Sequence, residues 1–109
     1  MFYDSNDIQL STETKDVMNE DTAAKYRAFG WEVIEINGND AAQIRAAIEH
    51  AKAVQGKPSL IIGKCIMGKG ARKADGTSYE ANCKTHGAPL GGDAYVNTVK
   101  NLGGDPENQ

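Results

Sequence analysis

The fold is decided by residues 31–66, which read WEVIEINGNDAAQIRAAIEHAKAVQGKPSLIIGKCI. Residues 31–36 alternate in polarity and are rich in β-branched side chains, which is typical of a strand. Residues 58–66 form a nearly continuous apolar run, as expected for a strand that is covered on both faces. This pattern predicts a strand–helix–strand unit with parallel strands. The helix is predicted over 41–54, where apolar side chains recur at helical spacing on one stripe: Ile44, Ala47, Ile48 and Ala51.

The remaining elements follow from similar signals. Asp21 or Asn19 can cap a helix over 21–30, and Gly30 suits the left-handed position after its end. The other predictions are an extended segment at 2–5 and 8–10, a loop with one turn at 11–21, and a helix at 93–103. We therefore predict an α/β fold, in which flanking helices cover a parallel sheet. Because three short strands leave two open edges, we expect the chain to be an incomplete portion of a larger sheet.

Composition excludes several classes of function. The 109 residues are 39% hydrophobic and 25% charged, with a net charge of −3. This balance provides no basic surface for nucleic acid and no polybasic patch for a membrane. No apolar run approaches the roughly 20 residues of a spanning helix, and residues 1–20 lack the features of a secretion signal. We expect a cytoplasmic protein that binds neither nucleic acid nor membrane.

Cys65 and Cys83 allow three interpretations. They could form a disulfide, or they could bind zinc together with His86, because Cys83 and His86 have a ligand-like spacing. A structural zinc site needs four ligands, usually in two close pairs, and only one close pair occurs here. Free thiols in a reducing compartment are therefore the favoured interpretation.

Polar side chains follow the first predicted strand. In parallel α/β sheets, ligands gather outside the carboxyl ends of the strands. Asn6 offers an amide oxygen there, and Asp4 or Asp7 offers a carboxylate. Such hard oxygen ligands suit Mg²⁺ or Ca²⁺ better than zinc. An ordinary Asx turn is the alternative, and local sequence alone favours it.

The long segment 67–91 is the second candidate region, since loops of this length are usually functional or disordered. It contains His86 within THGAPLGG, where an imidazole could titrate or donate a hydrogen bond near neutral pH. A surface histidine is the alternative. GKGARK at 68–73 lacks the spacing of a phosphate-binding P-loop, and His50 is expected to be solvated on its helix.

Two of these stretches together resemble one family. FYDSNDIQLS at 2–11 is similar to the end of the thiamine-diphosphate motif of transketolases, and THGAPLGG is similar to a downstream loop of the same family. The segments FGWEVIEINGND, KPSLIIGKCIMGKG and VNTVKNLG also fit, in order. The resemblance implies a thiamine-diphosphate-binding fold. Residues 1–102 would be the C-terminal part of the pyrophosphate-binding domain, and 103–109 would be the start of a linker or a tail.

The resemblance also implies roles for individual residues. Asn6 would bind a divalent cation, Mg²⁺ or Ca²⁺, through its side-chain oxygen and would lie beside the cofactor's diphosphate. Ile8 would bind the same cation through its main-chain carbonyl. Leu10 would pack near the thiazolium ring of thiamine diphosphate. His86 would be a catalytic residue that faces both cofactor and substrate.

The implied activity is the transfer of a two-carbon ketol unit from a ketose phosphate to an aldose phosphate, a reaction of the pentose phosphate pathway. Members of the family act as homodimers. The metal-binding aspartate of a Gly-Asp-Gly motif, the upstream histidines and the activating glutamate of the family are absent from these 109 residues. We therefore expect the isolated chain to be inactive and to need the remainder of a transketolase chain.

The chain departs from the family in two places. Residues 9–12 are Gln-Leu-Ser-Thr where the family commonly has Ser-Ile-Asp-Gly, and the loop 71–85 is longer than in familiar members. Two alternatives stay open at this point. The chain could belong to a related thiamine-diphosphate enzyme such as deoxyxylulose-phosphate synthase, or it could be a non-catalytic α/β interaction module.

Overall fold

A computed structural model describes residues 1–9 and 12–108. Within these ranges the chain forms three strands and three helices, which confirms the predicted alternation of elements. Two short 3₁₀ turns, Thr14–Asp16 and Cys83–Thr85, lie in the connecting segments. The main elements are β1 (Phe2–Ser5), α1 (Thr22–Ala28), β2 (Glu32–Asn37), α2 (Ala41–Ala53), β3 (Ser59–Lys64) and α3 (Gly92–Asn101).

The three strands form one parallel sheet in the order β1-β3-β2. β3 therefore lies in the middle and pairs with both neighbours, with Phe2 opposite Ile61 in β1 and Val33 opposite Leu60 in β2. The central position explains why β3 has the most continuous apolar sequence of the three, since a central strand between two layers exposes neither face to water. The prediction of a parallel sheet is confirmed.

The core lies on both faces of β3. Leu60 is fully buried, and with Ile62 and Ala23 it forms a cluster on the side of α1. Tyr26 of α1 packs edge-on against Trp31, with 5.1 Å between the ring centroids. Side chains alternate along a strand, so Ile61 and Gly63 face the other way, where the Phe2 ring lies against Gly63. The partly buried side chains around the cluster are Tyr3, Tyr26, Trp31 and Val33.

The helix ends follow the predicted capping chemistry. The Ala24 N–H donates to the carboxylate of Asp21 at 2.9 Å, so Asp21 rather than Asn19 caps α1. The Asp40 carboxylate caps α2 by accepting hydrogen bonds from the N–H groups of the two residues after Ala41. Gly30 has a φ of 81°, the left-handed conformation predicted for the position after α1.

The apolar stripe of α2 is only partly covered. Ala47 is 3% exposed, whereas Ile48 is 44% exposed. Ile44 and Ala51 are half-buried, and Ile48, which points about 100° away from Ala47, lies at the exposed margin of the stripe. The helix prediction is confirmed, and three of the four stripe residues lie on the covered side of α2.

The described chain divides into two compact units. The sheet unit comprises Met1–Asn6 and Met18–Cys65, with the three strands, α1 and α2. The loop unit comprises Asp7–Val17 and the described residues from Ile66 onward, with α3 and both 3₁₀ turns. Within the part of the chain described, none of the helices combines the length and apolar character needed to cross a membrane.

Candidate functional site

The carboxyl ends of the three strands are tied together in the sheet unit. The Cys65 N–H donates to the carbonyl of Ser5 at 3.0 Å, which extends the pairing of β3 with β1. On the other side, the Gly38 N–H donates to the carbonyl of Lys64 at 2.8 Å. These bonds order the carboxyl ends of the strands, where ligands of parallel α/β proteins bind.

Two glycines allow close packing at this edge. A Cβ atom added to Gly38 would overlap the Cys65 sulfur and lie 2.9 Å from the main-chain carbon of Gly63. A Cβ atom added to Gly63 would lie 2.6 Å from the Phe2 ring. Neither glycine was identified in the sequence analysis. An isolated glycine inside a predicted strand, such as Gly63, is the signal that could have indicated this close approach.

The Cys65 thiol is a packing group at this edge. Burial raises the pKa of the Cys65 thiol, and the nearby Asp4 carboxylate raises that pKa further. The sulfur lies 3.4 Å from the carbonyl oxygen of Gly63, to which the thiol donates. A protonated thiol is a weak nucleophile and a poor metal ligand.

Both cysteines are free thiols in the structure, as predicted. Among the described residues, no group of three or more His, Cys, Asp or Glu side chains is arranged to hold a metal ion. The structure therefore gives no support to the zinc alternative.

Asn6 immediately follows β1 and is half-buried. The next residue, Asp7, has a φ of 62°, which is in the left-handed region. Aspartate and asparagine occupy this region more readily than other non-glycine residues. Asp7 lies in the sequence between Asn6 and Ile8, the two residues that the family resemblance assigns to the cation.

Ile8 belongs to the loop unit and forms an antiparallel bridge with Glu13. The Thr14 N–H donates to the carbonyl of Asp7 at 2.8 Å, which fixes the main chain on the N-terminal side of Ile8. Leu10, the residue expected near the thiazolium ring, lies outside the described residues.

His86 is exposed and caps the 3₁₀ turn Cys83–Thr85. Its N–H donates to the Cys83 carbonyl at 3.1 Å. The turn is stabilised at its other end, where the Asn82 side chain accepts from the Lys84 N–H at 2.9 Å. The imidazole is therefore carried on an ordered turn of the loop unit. The sequence pattern predicts a loop here but not the turn.

These residues and the sheet that carries them describe one kind of protein. It is a parallel α/β protein with closely packed strand ends, an amide oxygen after its first strand, and a histidine-bearing loop after its central strand. A family model described as the thiamine diphosphate binding domain of transketolase matches residues 1–109. The chain belongs to this family, which confirms the resemblance found in the sequence.

Individual relatives agree with this assignment. A probable transketolase of Streptococcus pneumoniae is 46% identical over 98% of this chain. The crystal structure of a transketolase from Campylobacter jejuni superimposes with a TM-score of 0.86, at 38% identity over 96% of this chain. A Pichia stipitis transketolase in complex with sedoheptulose-7-phosphate gives a TM-score of 0.87, at 31% identity over 99% of this chain.

The matched segment is a small part of each relative. The chain covers 16% of the Streptococcus pneumoniae protein, 16% of the Campylobacter jejuni chain and 15% of the Pichia stipitis chain. The α/β fold prediction is confirmed, because these solved structures have the same fold over nearly all of this chain.

Proposed function

We propose that this chain functions as a segment of a transketolase and contributes to the binding of thiamine diphosphate and a divalent cation. The match of all 109 residues to the thiamine-diphosphate-binding domain carries this proposal. Residues 1–102 would be part of the domain, and 103–109 would be the start of a linker or a tail. The end of α3 at Asn101 and the left-handed φ of 82° at Gly103 support a boundary there.

The donor set at the end of β1 fits Mg²⁺, and Ca²⁺ is the second choice. The side-chain oxygen of Asn6 and the carbonyl oxygen of Ile8 are neutral, hard ligands. Mg²⁺ is commonly held by only one or two protein groups, with phosphate oxygens and water completing its coordination.

When bound, thiamine diphosphate supplies the carbanion chemistry of ketol transfer, and the protein supplies orientation and polar contacts. His86 would donate hydrogen bonds to the diphosphate and to substrate hydroxyls. Its exposure and its position after the turn Cys83–Thr85 make the imidazole accessible to such ligands. Leu10 would provide the apolar contact to the thiazolium ring. Asn6 would lie beside the diphosphate as well as bind the cation.

The proposed substrates are sugar phosphates. The complete enzyme would transfer a two-carbon ketol unit from a ketose phosphate to an aldose phosphate in the pentose phosphate pathway of the cytoplasm. It would act as a homodimer. The complex of the Pichia stipitis relative with sedoheptulose-7-phosphate supports this substrate class.

We expect the isolated 109 residues to have no ketol transferase activity, because the remainder of the chain must supply other catalytic groups. The 16% coverage of the Streptococcus pneumoniae relative supports this view. The mass of the native polypeptide, measured on these peptides in an extract of the source cells, tests it. A mass several times that of 109 residues is expected. A mass equal to 109 residues would favour the non-catalytic interaction module instead.

The site assignment is tested in a graft enzyme, in which residues 1–109 replace the matching segment of the Streptococcus pneumoniae relative. We expect Asn6→Ala to weaken Mg²⁺-dependent binding of thiamine diphosphate at least about tenfold. We expect His86→Ala to lower kcat/KM for ketol transfer by about 10²-fold. The matched controls are Asn108→Ala and His50→Ala. His50 lies on α2, where its Nε2 is 3.1 Å from the Glu32 carboxylate.

Both controls should leave cofactor affinity and turnover unchanged. If Asn6→Ala and His86→Ala also leave both quantities unchanged in an active graft enzyme, the assignment of these residues is wrong. If the unsubstituted graft enzyme binds no cofactor, the proposed function itself is wrong.

A further inference from the structure

Side chains of α3 hold the main chain of residues 70–74 in the loop unit. The Thr98 hydroxyl accepts from the Arg72 N–H at 2.9 Å and lies 3.4 Å from the Arg72 carbonyl, to which it donates. One turn further along α3, the Asn101 amide donates to the Gly70 carbonyl at 2.9 Å. The Asn97 amide donates to the carbonyls of residues 73 and 74, at 3.1 and 3.2 Å.

These contacts form a built interface rather than a solvated helix face. Thr98 is only 9% exposed, although threonine is a polar residue. Residues 97, 98 and 101 lie at the i, i+1 and i+4 positions of one helical surface, which faces loop main chain. The Arg72 guanidinium donates back to the Asn101 side-chain oxygen at 2.9 Å, so both ends of that amide are used. We call this set of side chains, Asn97, Thr98 and Asn101, the α3 brace.

The braced residues are connected in turn to the segment that carries His86. The Gly70 N–H donates to the Glu80 carboxylate at 2.7 Å, and the Ala81 N–H donates to the Met67 carbonyl at 2.9 Å. A Cβ atom added to Gly68 would lie 3.2 Å from the hydroxyl of Thr85, the residue before His86. Two hydrogen bonds, Gly70 to Glu80 and Ala81 to Met67, therefore join the braced end of the loop to the part that leads to His86.

The backbone conformation of Ala81 is a second sign that this loop is held in place. Ala81 has a φ of 51°, in the left-handed region that an alanine occupies at a cost of about 1–2 kcal/mol. Such a conformation persists only where the surroundings determine it. Here the hydrogen bond from the Ala81 N–H and the neighbouring Glu80–Gly70 bond provide that constraint.

We propose that the α3 brace is a set of positioning residues that fixes the loop 67–86 and thereby the placement of His86. Thr98 contributes most, because its single hydroxyl satisfies both main-chain groups of Arg72 in a buried position. The brace acts through the loop and touches no ligand. That the positioned imidazole serves a diphosphate-bearing cofactor rests on the proposed function.

The test compares Thr98→Val with Thr98→Ser in the full 109-residue chain. Valine keeps the shape but loses the hydroxyl, whereas serine keeps the hydroxyl. NMR-detected hydrogen exchange reports on the Arg72 and Ala81 amides, with the Ile61 amide of β3 as the reference for global folding. The chain has two histidines. The ring resonances of His86 therefore report on the loop, and those of His50 on α2 serve as an internal control.

We expect Thr98→Val to speed exchange of the Arg72 and Ala81 amides about tenfold. We expect the His86 ring resonances to move towards the values of an unstructured histidine, while those of His50 stay unchanged. Thr98→Ser should keep the wild-type behaviour. Wild-type Ala81 exchange and wild-type His86 resonances in Thr98→Val would overturn the proposal.

A second variant covers the case in which Thr98→Val loses the protection of the Ile61 amide and is unfolded. Asn101→Asp at the exposed end of α3 removes the donor to the Gly70 carbonyl, and Asn108→Asp is its control. Faster exchange of the Ala81 amide in Asn101→Asp than in Asn108→Asp supports the proposal. Equal exchange of this amide in Asn101→Asp and Asn108→Asp overturns it.

The two proposals fail separately. If the brace variants change the loop as expected but His86→Ala in the graft enzyme has no effect on cofactor binding or turnover, only the role of His86 is wrong. If His86→Ala has the expected effect but the brace variants leave the loop unchanged, only the brace is wrong.

Discussion

The sheet unit and the loop unit of this chain are ordered by different interactions. The sheet unit contains five of the six buried hydrophobic residues among the described part of the chain, and its strands are joined by a regular parallel ladder. The loop unit has only Ala71 from that set, and side chains hydrogen-bonded to main chain hold its long loop. Apolar burial therefore fixes the sheet unit, whereas specific polar contacts hold the histidine-bearing loop.

The largest effect is expected from removing the central core side chain of the sheet unit. Leu60 is 0% exposed, so Leu60→Ala should lower the free energy of unfolding by about 3 kcal/mol, through lost burial and a cavity. Urea denaturation of the chain measures this effect. The matched control is Ile48→Ala, at a position that is 44% exposed. Equal losses for the two variants would show that the burial pattern of the sheet unit is wrong.

Glycine substitutions separate the two units in a second way. In the sheet unit, a Cβ on Gly38 would collide with the Cys65 sulfur and with the main chain of Gly63. The main chain of Gly63 cannot move away, because it belongs to the central strand β3. We expect Gly38→Ala to cost about 2–3 kcal/mol. In the loop unit, Gly76 has a φ of +83° but no described atom within 4 Å of an added Cβ. Gly76→Ala should cost only about 1 kcal/mol, from the backbone alone.

Urea denaturation of both glycine variants provides the comparison. A cost for Gly76→Ala as large as that for Gly38→Ala would contradict the difference in packing between these two glycines.

A smaller effect of opposite sign is expected at Ala81. Because its φ is 51°, Ala81→Gly should raise the free energy of unfolding by about 0.5 kcal/mol, since the strain of a left-handed alanine is removed but glycine loses more conformational entropy on folding. Ala46→Gly, on the exposed side of α2, should lower it by about 1 kcal/mol through helix propensity. The midpoint temperature of thermal unfolding should therefore rise for Ala81→Gly and fall for Ala46→Gly. A shift in the same direction would contradict the assigned conformation of Ala81.

The smallest effect is on the pH dependence of stability, to which Asp40 in the sheet unit and Asp75 in the loop unit contribute. Hydrogen bonds from the N–H groups of Gln43 and Ala42 lower the pKa of Asp40 in the sheet unit. Hydrogen bonds from Thr77 lower the pKa of Asp75 in the loop unit. A carboxylate with a lowered pKa stabilises the folded chain above its ordinary pKa of 3.8, and this stabilisation is lost as the pH falls through the lower folded-state value.

Asp40→Asn and Asp75→Asn should each reduce the loss of stability between pH 5 and pH 3, while keeping a hydrogen-bond acceptor. Unfolding free energies measured across this range test the expectation. An unchanged pH dependence in both variants would contradict it.

The elements of the sheet unit were predictable because their signals are local. The alternation at 31–36, the caps at Asp21 and Asp40, and the apolar run that became β3 each follow from short-range pattern. The exposed Ile48 was not predictable, since its burial depends on how wide a surface the sheet presents. The strand order β1-β3-β2 also lay beyond local pattern, because it is set by contacts between distant segments.

The site divides in the same way. Asn6 and His86 were predicted from residue type and family motif, and their roles remain predictions; in the structure Asn6 follows β1 and His86 follows the turn Cys83–Thr85. The α3 brace was missed because Asn97, Thr98 and Asn101 have the composition of an ordinary solvated helix face. Only the path of the loop main chain reveals that these side chains have partners 23 to 31 residues away in the sequence.

If Asn6 ligates the divalent cation that holds thiamine diphosphate, as proposed, then changing the metal preference of this position in the graft enzyme should change which ion supports cofactor binding. Thiolate ligands prefer soft ions such as Cd²⁺, whereas an amide oxygen prefers Mg²⁺. Thiamine diphosphate affinity would be measured for wild type and Asn6→Cys as each ion is titrated. We predict that Asn6→Cys loses Mg²⁺-dependent binding and regains binding with Cd²⁺. The same Mg²⁺ dependence in both proteins, with no gain from Cd²⁺, would contradict the account.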